Sequence, residues 1–330
     1  MRKVTIEDIS RETSLSRGTV SRALNDRRDI SSRTKQRVLD ACTKLNYSPS
    51  SAARSLATGR NFAVALLWTA PISHYLSELF RGCAQAAYAA HYALTLIELP
   101  DAAAGSETRI RSLSAERIDG AVVASPLSEA HARILGEIVG ERMIASTQVG
   151  PALRCDTFHV DDAEAGALAA RRLLSCGVKN CVYIVRRGDA AAKRRLAGFR
   201  DAWALDAKGG GAAQSIEVEL GENLAQHAAV LRAVDAIATS DDRLAVAAMC
   251  ILAPLGRTAG RDVQLIGCGD EPIAADCAVP LTTIRLNAHE AGRRTTAAVL
   301  ERLKGERKDA PQTVAIAPEV VERATVVGPE

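Results

Sequence analysis

The chain has 330 residues, length enough for about two globular domains, and its 47% apolar and 25% charged content excludes a disordered or fibrous chain. Residues 1–60 hold 13 Lys/Arg against 6 Asp/Glu, whereas residues 61–330 hold 29 against 33, so a net charge of +3 conceals a basic head on a mildly acidic body. No stretch approaches about 18 uncharged apolar residues, and the opening Met1–Asp8 lacks the apolar run of a signal peptide; no membrane partner is expected and the cytoplasm is the expected location.

In the head, Ile6, Ile9, Leu15, Val20, Ala23 and Leu24 form two short clusters at helical spacing, separated by Thr13-Ser14-Leu15-Ser16, which leaves room only for a tight turn. Thr5 followed by Glu7-Asp8 reads as an N-cap with acids in the first turn, and Ser16 reads as the cap of a second helix running through Asn25. A third helix begins near Ser31 or Ser32, carries Val38, Leu39, Ala41, Cys42 and Leu45 on one stripe, and ends before Asn46-Tyr47-Ser48-Pro49. Two helices joined by such a turn, the second bearing Arg17, Ser21 and Arg22, fit a helix-turn-helix; a plain three-helix bundle with a solvated basic face fits the same spacing.

The order of residues separates these two. Val4-Thr5-Ile6-Glu7-Asp8-Ile9, Ser16-Arg17-Gly18-Thr19-Val20-Ser21-Arg22-Ala23-Leu24-Asn25, Thr34-Lys35-Gln36-Arg37-Val38 and Leu45-Asn46-Tyr47-Ser48-Pro49 resemble the head of the lactose-repressor (LacI/GalR) family of transcription regulators, and Ala52-Ala53-Arg54-Ser55-Leu56-Ala57 continues the resemblance. The resemblance implies a hinge helix that orders on operator DNA and a minor-groove wedge at Leu56, the unstacking being offset by contacts that the bent duplex allows. It places DNA contacts at Thr5, Ser16, Arg17, Gly18, Ser21, Arg22, Asn25, Ser31, Thr34, Tyr47, Ala53 and Leu56. Arg17 and Gly18 stand where the family chooses its operator: a guanidinium suits the O6/N7 edge of guanine, and glycine lets the backbone come close. The turn departs from the family, with Ser10 and Ser14 where Ala and Gly are usual, so Ser14 is expected to carry left-handed backbone strain.

From residue 62 onward, apolar runs at Ala63–Trp68, Ala93–Leu99, Gly120–Ser125 and Met143–Val149 read as buried strands, and a second series follows at Cys181–Val185, Ile216–Leu220, Ala236–Thr239 and Val263–Gly267. The segment holding Leu76, Leu79, Phe80, Cys83, Ala86, Ala87 and Ala90 on one face reads as helix. Alternation of this kind predicts two doubly wound α/β lobes. Asp119-Gly120, Val160-Asp161-Asp162, Arg195-Leu196-Ala197-Gly198-Phe199, Ser240-Asp241-Asp242, Ile266-Gly267 and Leu281-Thr282-Thr283-Ile284 extend the resemblance through the body. It implies an all-α helix-turn-helix head at 1–47, a hinge at 48–60 and a periplasmic-binding-protein-like body at 61–330. In that body, lobe 1 is about 61–159 and 288–317, and lobe 2 about 160–287 and 318–330. The resemblance further implies a homodimer on double-stranded operator DNA, with a small-molecule effector between the lobes; no heptad tail follows Val327 to add a coiled coil.

Ligands of open α/β sheets sit beyond the carboxyl ends of the strands, which nominates the loops starting at Trp68 (with Thr69), Ser125, Arg186, Asp241 and Gly269 as effector-binding, with Trp68 and Tyr75 as an apolar platform. Arg195 stands where the family grips its effector; Asp161 and Asp242 read equally as helix caps, and Trp68 and Tyr75 equally as core packing. Gly269, Leu286 and Thr147 stand where acids or amides are common in the sugar-binding pattern. With fewer acceptors, and with Arg186, Arg187, Lys193, Arg194 and Arg195 crowded together, the expected effector is an anionic sugar derivative.

The eight cysteines show no C-x-x-C pair or zinc spacing and read as buried small hydrophobes, so no metal or cofactor is expected. No G-x-S-x-G, Walker or zincin motif is present, and an enzyme is not expected. The alternatives are a regulator with a vestigial pocket and a redox sensor using Cys176 and Cys181.

Overall fold

The computed structural model describes residues 4–24, 29–47, 59–69, 72–99, 103–113, 117–140, 143–147, 154–206, 212–219 and 222–328. Two compact units emerge, Met1–Phe62 and Ala63–Glu330. Asn25, Ala53 and Leu56, and with the last two most of the expected hinge at 48–60, lie outside the described residues.

The head contains α1 (Ile6–Thr13), α2 (Arg17–Leu24) and α3 (Ser32–Lys44). Each start is fixed locally. Asp8 Oδ2 accepts from the Thr5 backbone N–H at 2.9 Å, Ser16 Oγ accepts from Thr19 N at 3.0 Å, and Ser31 Oγ accepts from Thr34 N at 3.2 Å. Between α1 and α2 the chain turns through Ser14 at φ +52°, the left-handed conformation expected of it. Ser10 Oγ donates to the Leu15 carbonyl at 2.5 Å and ties that turn down. Ile9, Val20, Ala23, Val38, Ala41 and Cys42 form the core, which leaves Arg17, Gly18 and Arg22 on the surface.

The body is built on two six-stranded sheets. The first takes β1 (Ala63–Trp68), β2 (Ala93–Glu98), β3 (Gly120–Val123), β4 (Ile144–Ser146), β5 (Asp156–Val160) and β11 (Thr313–Ile316), in the order β11-β5-β4-β3-β1-β2 and parallel throughout. The second takes β6 (Asn180–Arg186), β7 (Ala212–Val218), β8 (Ala236–Thr239), β9 (Gln264–Cys268), β10 (Thr282–Arg285) and β12 (Glu319–Val321), in the order β12-β10-β9-β8-β6-β7, with β12 antiparallel. The chain therefore passes between sheets three times, after β5, after β10 and between β11 and β12. Purely parallel pairing needs long crossovers, and helices supply them: α4 (His74–Ala89), α5 (Ala103–Ser112), α6 (Glu129–Val139), α7 (Asp162–Ser175), α8 (Ala190–Asp206), α9 (Ala228–Ala233), α10 (Asp242–Leu252), α11 (Pro272–Asp276) and α12 (Ala288–Lys304).

Of the strands, β5, β10, β11 and β12 are not visible as apolar runs. Asp156-Thr157-Phe158-His159-Val160 and Thr282-Thr283-Ile284-Arg285 mix polar and apolar residues, and the polar ones are absorbed by specific partners. Asp156 is buried against Arg302 (2.5 Å), and Thr282 donates from its backbone to Thr325 Oγ1 (2.8 Å). Each lobe also contains one helix pair in close contact. A Cβ at Gly82 of α4 would stand 1.9 Å from the His289 carbonyl oxygen of α12, and one at Gly166 of α7 would stand 1.8 Å from the Arg195 carbonyl oxygen of α8.

Candidate DNA-reading head and ligand cleft

On the head, the residues expected to touch DNA fall into two groups. Thr5, Ser16, Ser31 and Thr34 all lie at helix starts, where Ser16 and Ser31 cap their helices and Thr34 Oγ1 meets Ser31 Oγ at 2.9 Å. Backbone N–H groups and small hydroxyls at such positions suit phosphate oxygens. Arg17, Gly18, Ser21 and Arg22 share α2, the first, second and sixth of its residues being exposed. Tyr47 packs against the head core and is half-buried, so part of its ring is structural. Neither arginine of α2 is solitary: Arg17 Nη1 donates to Glu7 Oε1 at 2.9 Å, and Arg22 Nη1 lies 3.6 Å from Asp29 Oδ2.

In the body, two serines perform one task, each at the carboxyl end of a parallel strand. Ser125, after β3, accepts from Thr69 N at 3.0 Å, and Ser240, after β8, accepts from Arg186 N at 3.1 Å. Each hydroxyl ties together the loops following two adjacent strands. Ser125 and Thr69 thus build the rim of the first lobe; Ser240, which has the same role in the second, has no apolar or charged signature in the sequence. Trp68 is buried with its ring 5.0 Å from that of Phe80, so packing is its main role, yet its indole Nε1 is buried with no protein acceptor. Tyr75, at the start of α4, packs against the core of the second lobe. Burial first, and then the negative charge of Asp162, push its hydroxyl far above the usual phenol range, so it stays a neutral donor.

Arg195 is buried and pairs with Asp162, Nη1 to Oδ1 at 2.7 Å, while Nη2 lies 3.7 Å from Asp189 Oδ2. Burial works to lower its pKa, and the neighbouring Cys268, Asp162, Tyr183 and Asp189 more than offset that, so the guanidinium stays charged. Its Nε is buried without an acceptor. Asp162 also receives Arg194 Nη2 at 2.7 Å and is the group that sequence reasoning missed: as one of two adjacent aspartates at a helix start it looks like a cap, and Asp161 is that cap, accepting from Glu164 N at 2.9 Å.

Two expectations need correction. Asp241, nominated as effector-binding, is also a structural residue: it caps α10 by accepting from Leu244 N at 2.9 Å and is gripped by Arg186 Nε and Nη2 at 3.1 and 3.3 Å. Asp242, read as the cap, lies one residue inside the helix and is buried, accepting from Thr283 Oγ1 at 2.5 Å and Glu271 N at 2.7 Å. The arginine-rich rim is also less open than its composition suggests. Arg186 meets Asp241, Arg187 meets Glu219 at 2.8 Å, and Arg194 and Arg195 share Asp162. Gly269 holds φ +129° and leaves no side chain in the cleft, and the adjacent Asp270 is taken by Arg285 and Arg323 at 2.7 and 2.6 Å. Leu286 is buried in the core of the second lobe, and Thr147 is buried as well.

For the redox alternative, burial pushes the Cys181 thiol far up, the reverse of what a reactive thiolate needs. All eight cysteines are free. Among the described residues no cluster of His, Cys, Asp or Glu is arranged to hold a metal, and no helix is long and apolar enough to cross a membrane.

Comparison with known proteins agrees with this architecture. Residues 5–50 match the bacterial regulatory proteins of the lacI family, and residues 158–326 match the periplasmic binding protein-like domain. The HTH-type transcriptional repressor PurR of Aliivibrio fischeri (strain MJ11) is 28% identical over 98% of each chain, and that of Mannheimia succiniciproducens is also 28% identical over 98% of each. Among solved structures, the lac repressor dimer bound to operator and the anti-inducer ONPF superposes with a TM-score of 0.73 at 20% identity, covering 99% of this chain and 100% of that one. The transcriptional regulator CelR–cellobiose complex gives 0.66 at 21% identity, covering 98% and 100%. With the matched head, the periplasmic-binding-protein-like body and the full-length likeness together, the chain belongs to the lacI family of bacterial regulatory proteins.

Proposed function

We propose that the protein is a transcriptional repressor that binds a pseudo-palindromic operator as a homodimer and is controlled by a small molecule held between the lobes of its body. The observation that carries the reading is the surface of α2, where Arg17, Gly18 and Arg22 stand free of the head core on a helix capped by Ser16. One such helix supplies only a few base contacts, so two heads are needed for a specific site. Exposed apolar side chains on the body, Leu96 on the edge strand β2, Ile72 ahead of α4 and Ile273 on α11, support a self-complementary contact. From the family resemblance, Ala53 and Leu56 complete the DNA-contacting set, Leu56 as the wedge.

The test is fluorescence anisotropy on a duplex selected from a random pool and on a scrambled control. For the wild type, log K falls against log salt with a slope near −0.9 per phosphate neutralised. Arg17→Ala weakens binding to the selected duplex by roughly 1–3 kcal/mol and leaves the control nearly unchanged. An equal loss on both duplexes would remove the base-reading role.

For the effector, an anionic sugar derivative remains the class proposed. Arg195 is itself paired with Asp162, so the proposal rests on two donors left without an acceptor among the described residues, Arg195 Nε and Trp68 Nε1, both of them buried. A thermal-shift panel of neutral sugars, sugar acids and phosphosugars tests this, because a ligand at 100 times its Kd stabilises the body by about 2.7 kcal/mol. A neutral sugar that stabilises Arg195→Ala as well as the wild type would overturn it.

A further inference from the structure

Arg17 and Glu7 belong to different helices of the head. Arg17 is the first residue of α2 and Glu7 the second of α1, and Arg17 Nη1 donates to Glu7 Oε1 at 2.9 Å with both side chains largely exposed. Glu7 has no part in the capping of α1, which is done by Asp8 with Thr5, and it is absent from the head core. Its place in the first turn of α1 suits the helix dipole, but that role does not call for the hydrogen bond to Arg17. An acid beside the base-reading arginine is also unfavourable for general DNA affinity, since it faces the same phosphates that the basic head attracts. Something must offset that cost, and the geometry of the guanidinium supplies it.

An arginine presents five N–H groups in a planar fork, of which a guanine O6/N7 pair uses two parallel ones. A free arginine side chain carries considerable rotamer entropy, which must be lost before both bonds form together. A carboxylate on Nη1 fixes the plane and leaves the Nε–Nη2 edge available. We infer that Glu7 is a positioning residue that orients Arg17 for bidentate reading of one guanine per half-site, raising base discrimination at the expense of overall affinity. This rests on the proposed DNA-reading role of α2.

Direct contact by Glu7 with a cytosine amino group is the competing arrangement, and it makes a different prediction: a preference of its own, independent of Arg17. The experiment sets wild type, Glu7→Gln, Arg17→Ala and the double variant against a panel of duplexes varied one base pair at a time, with the unfolding midpoint measured for each protein. Glu7→Gln is expected to keep the same preferred base at the Arg17 position but to discriminate roughly two- to fivefold less, the range of one exposed ion pair, without weakening binding to random DNA. In the Arg17→Ala background the Glu7 substitution is expected to change nothing at that position, the mark of two residues acting as one unit. The unfolding midpoint should fall only by the small contribution of one exposed ion pair, and by no more in the double variant than in Arg17→Ala.

Full discrimination in Glu7→Gln, or the same loss whether or not Arg17 is present, overturns the inference. So does a preference lost at a second, Arg17-independent base pair, which assigns Glu7 a contact of its own. If the wild type itself shows no base preference, the DNA-reading role fails and this inference fails with it. If wild type and Glu7→Gln discriminate against the other bases to the same degree, only this inference fails.

Discussion

Ser14 holds φ +52°, a conformation that costs a residue with a Cβ about 1 kcal/mol or more, and the neighbouring Ser10 hydroxyl compensates by binding the Leu15 carbonyl across the turn. The strain was legible in the sequence because a serine stood where a glycine is usual; the compensation was not, because a hydroxyl has no preferred partner until the turn is folded. Ser14→Gly is expected to stabilise the head by about 1 kcal/mol and Ser10→Ala to destabilise it by a similar amount. Amide hydrogen exchange in α1 and α2 of the full chain reads both; slower protection in Ser10→Ala than loss, that is, stronger protection than wild type, would contradict the account. Asp242 is a second residue whose neighbours decide its behaviour. Burial raises its carboxyl to about 6, against the lowering effect of the Thr283 hydroxyl and the Glu271 backbone N–H, with the charges of Glu271 and Asp270 adding to the rise. A folded-state value above the unfolded one means that the folded body binds a proton which the unfolded chain has released. The stabilising contribution is complete below the ordinary carboxyl range and is lost as pH rises through about 6. Asp242→Asn should therefore flatten the dependence of body stability on pH between about 4 and 6, and an unchanged profile would place the titration elsewhere.

At the scale of elements, the helices α7 and α8 hold Arg195 against Asp162 through their contact. Gly166 has no room for a side chain, its Cβ position lying 1.8 Å from the Arg195 carbonyl oxygen, and Gly198 reciprocates, its Cβ position lying 2.0 Å from the Ala163 carbonyl oxygen. That contact brings Asp162, at the start of α7, onto Arg195 near the start of α8. Gly166→Ala is thus expected to lower body stability by about 1–3 kcal/mol, the usual range for overpacking, and to weaken any ligand held by Arg195; an unshifted unfolding midpoint would show that the helices separate freely. The helices were readable from their periodicity, and each of the eight apolar runs overlaps a strand, but the expected burial fails at β2, an edge strand in which only Ile97 of Ala93–Glu98 is buried. Strands β5 and β10 were not readable, because their polar residues are satisfied by partners far away in sequence, as Asp156 is by Arg302 and Thr282 by Thr325. The same cause hid the ion pairs of the rim: Arg186 and Asp241 are 55 residues apart, and composition counted the one without seeing the other.

For the whole molecule, the proposed regulation would have the body set the relation of two heads, so self-association is part of the proposal. An isologous contact places each exposed side chain near its own copy or its neighbours, and Leu96, 49% exposed on the edge strand β2, is the residue whose change to lysine should be most disruptive. Leu96→Lys is expected to shift sedimentation toward the monomer and to weaken operator binding without altering the unfolding of the body; a variant that sediments as wild type would move the contact elsewhere. The two-unit organisation, basic head and acidic body, was visible from charge alone, whereas the exposure of Leu96 was not, since a leucine in a strand reads the same in any context. The most direct measurement is selection of duplexes by the full chain from a random pool. The account predicts an enriched inverted repeat whose two half-sites both contain the guanine read by Arg17; a pool that stays random after repeated rounds, or a single unrepeated motif, would contradict it.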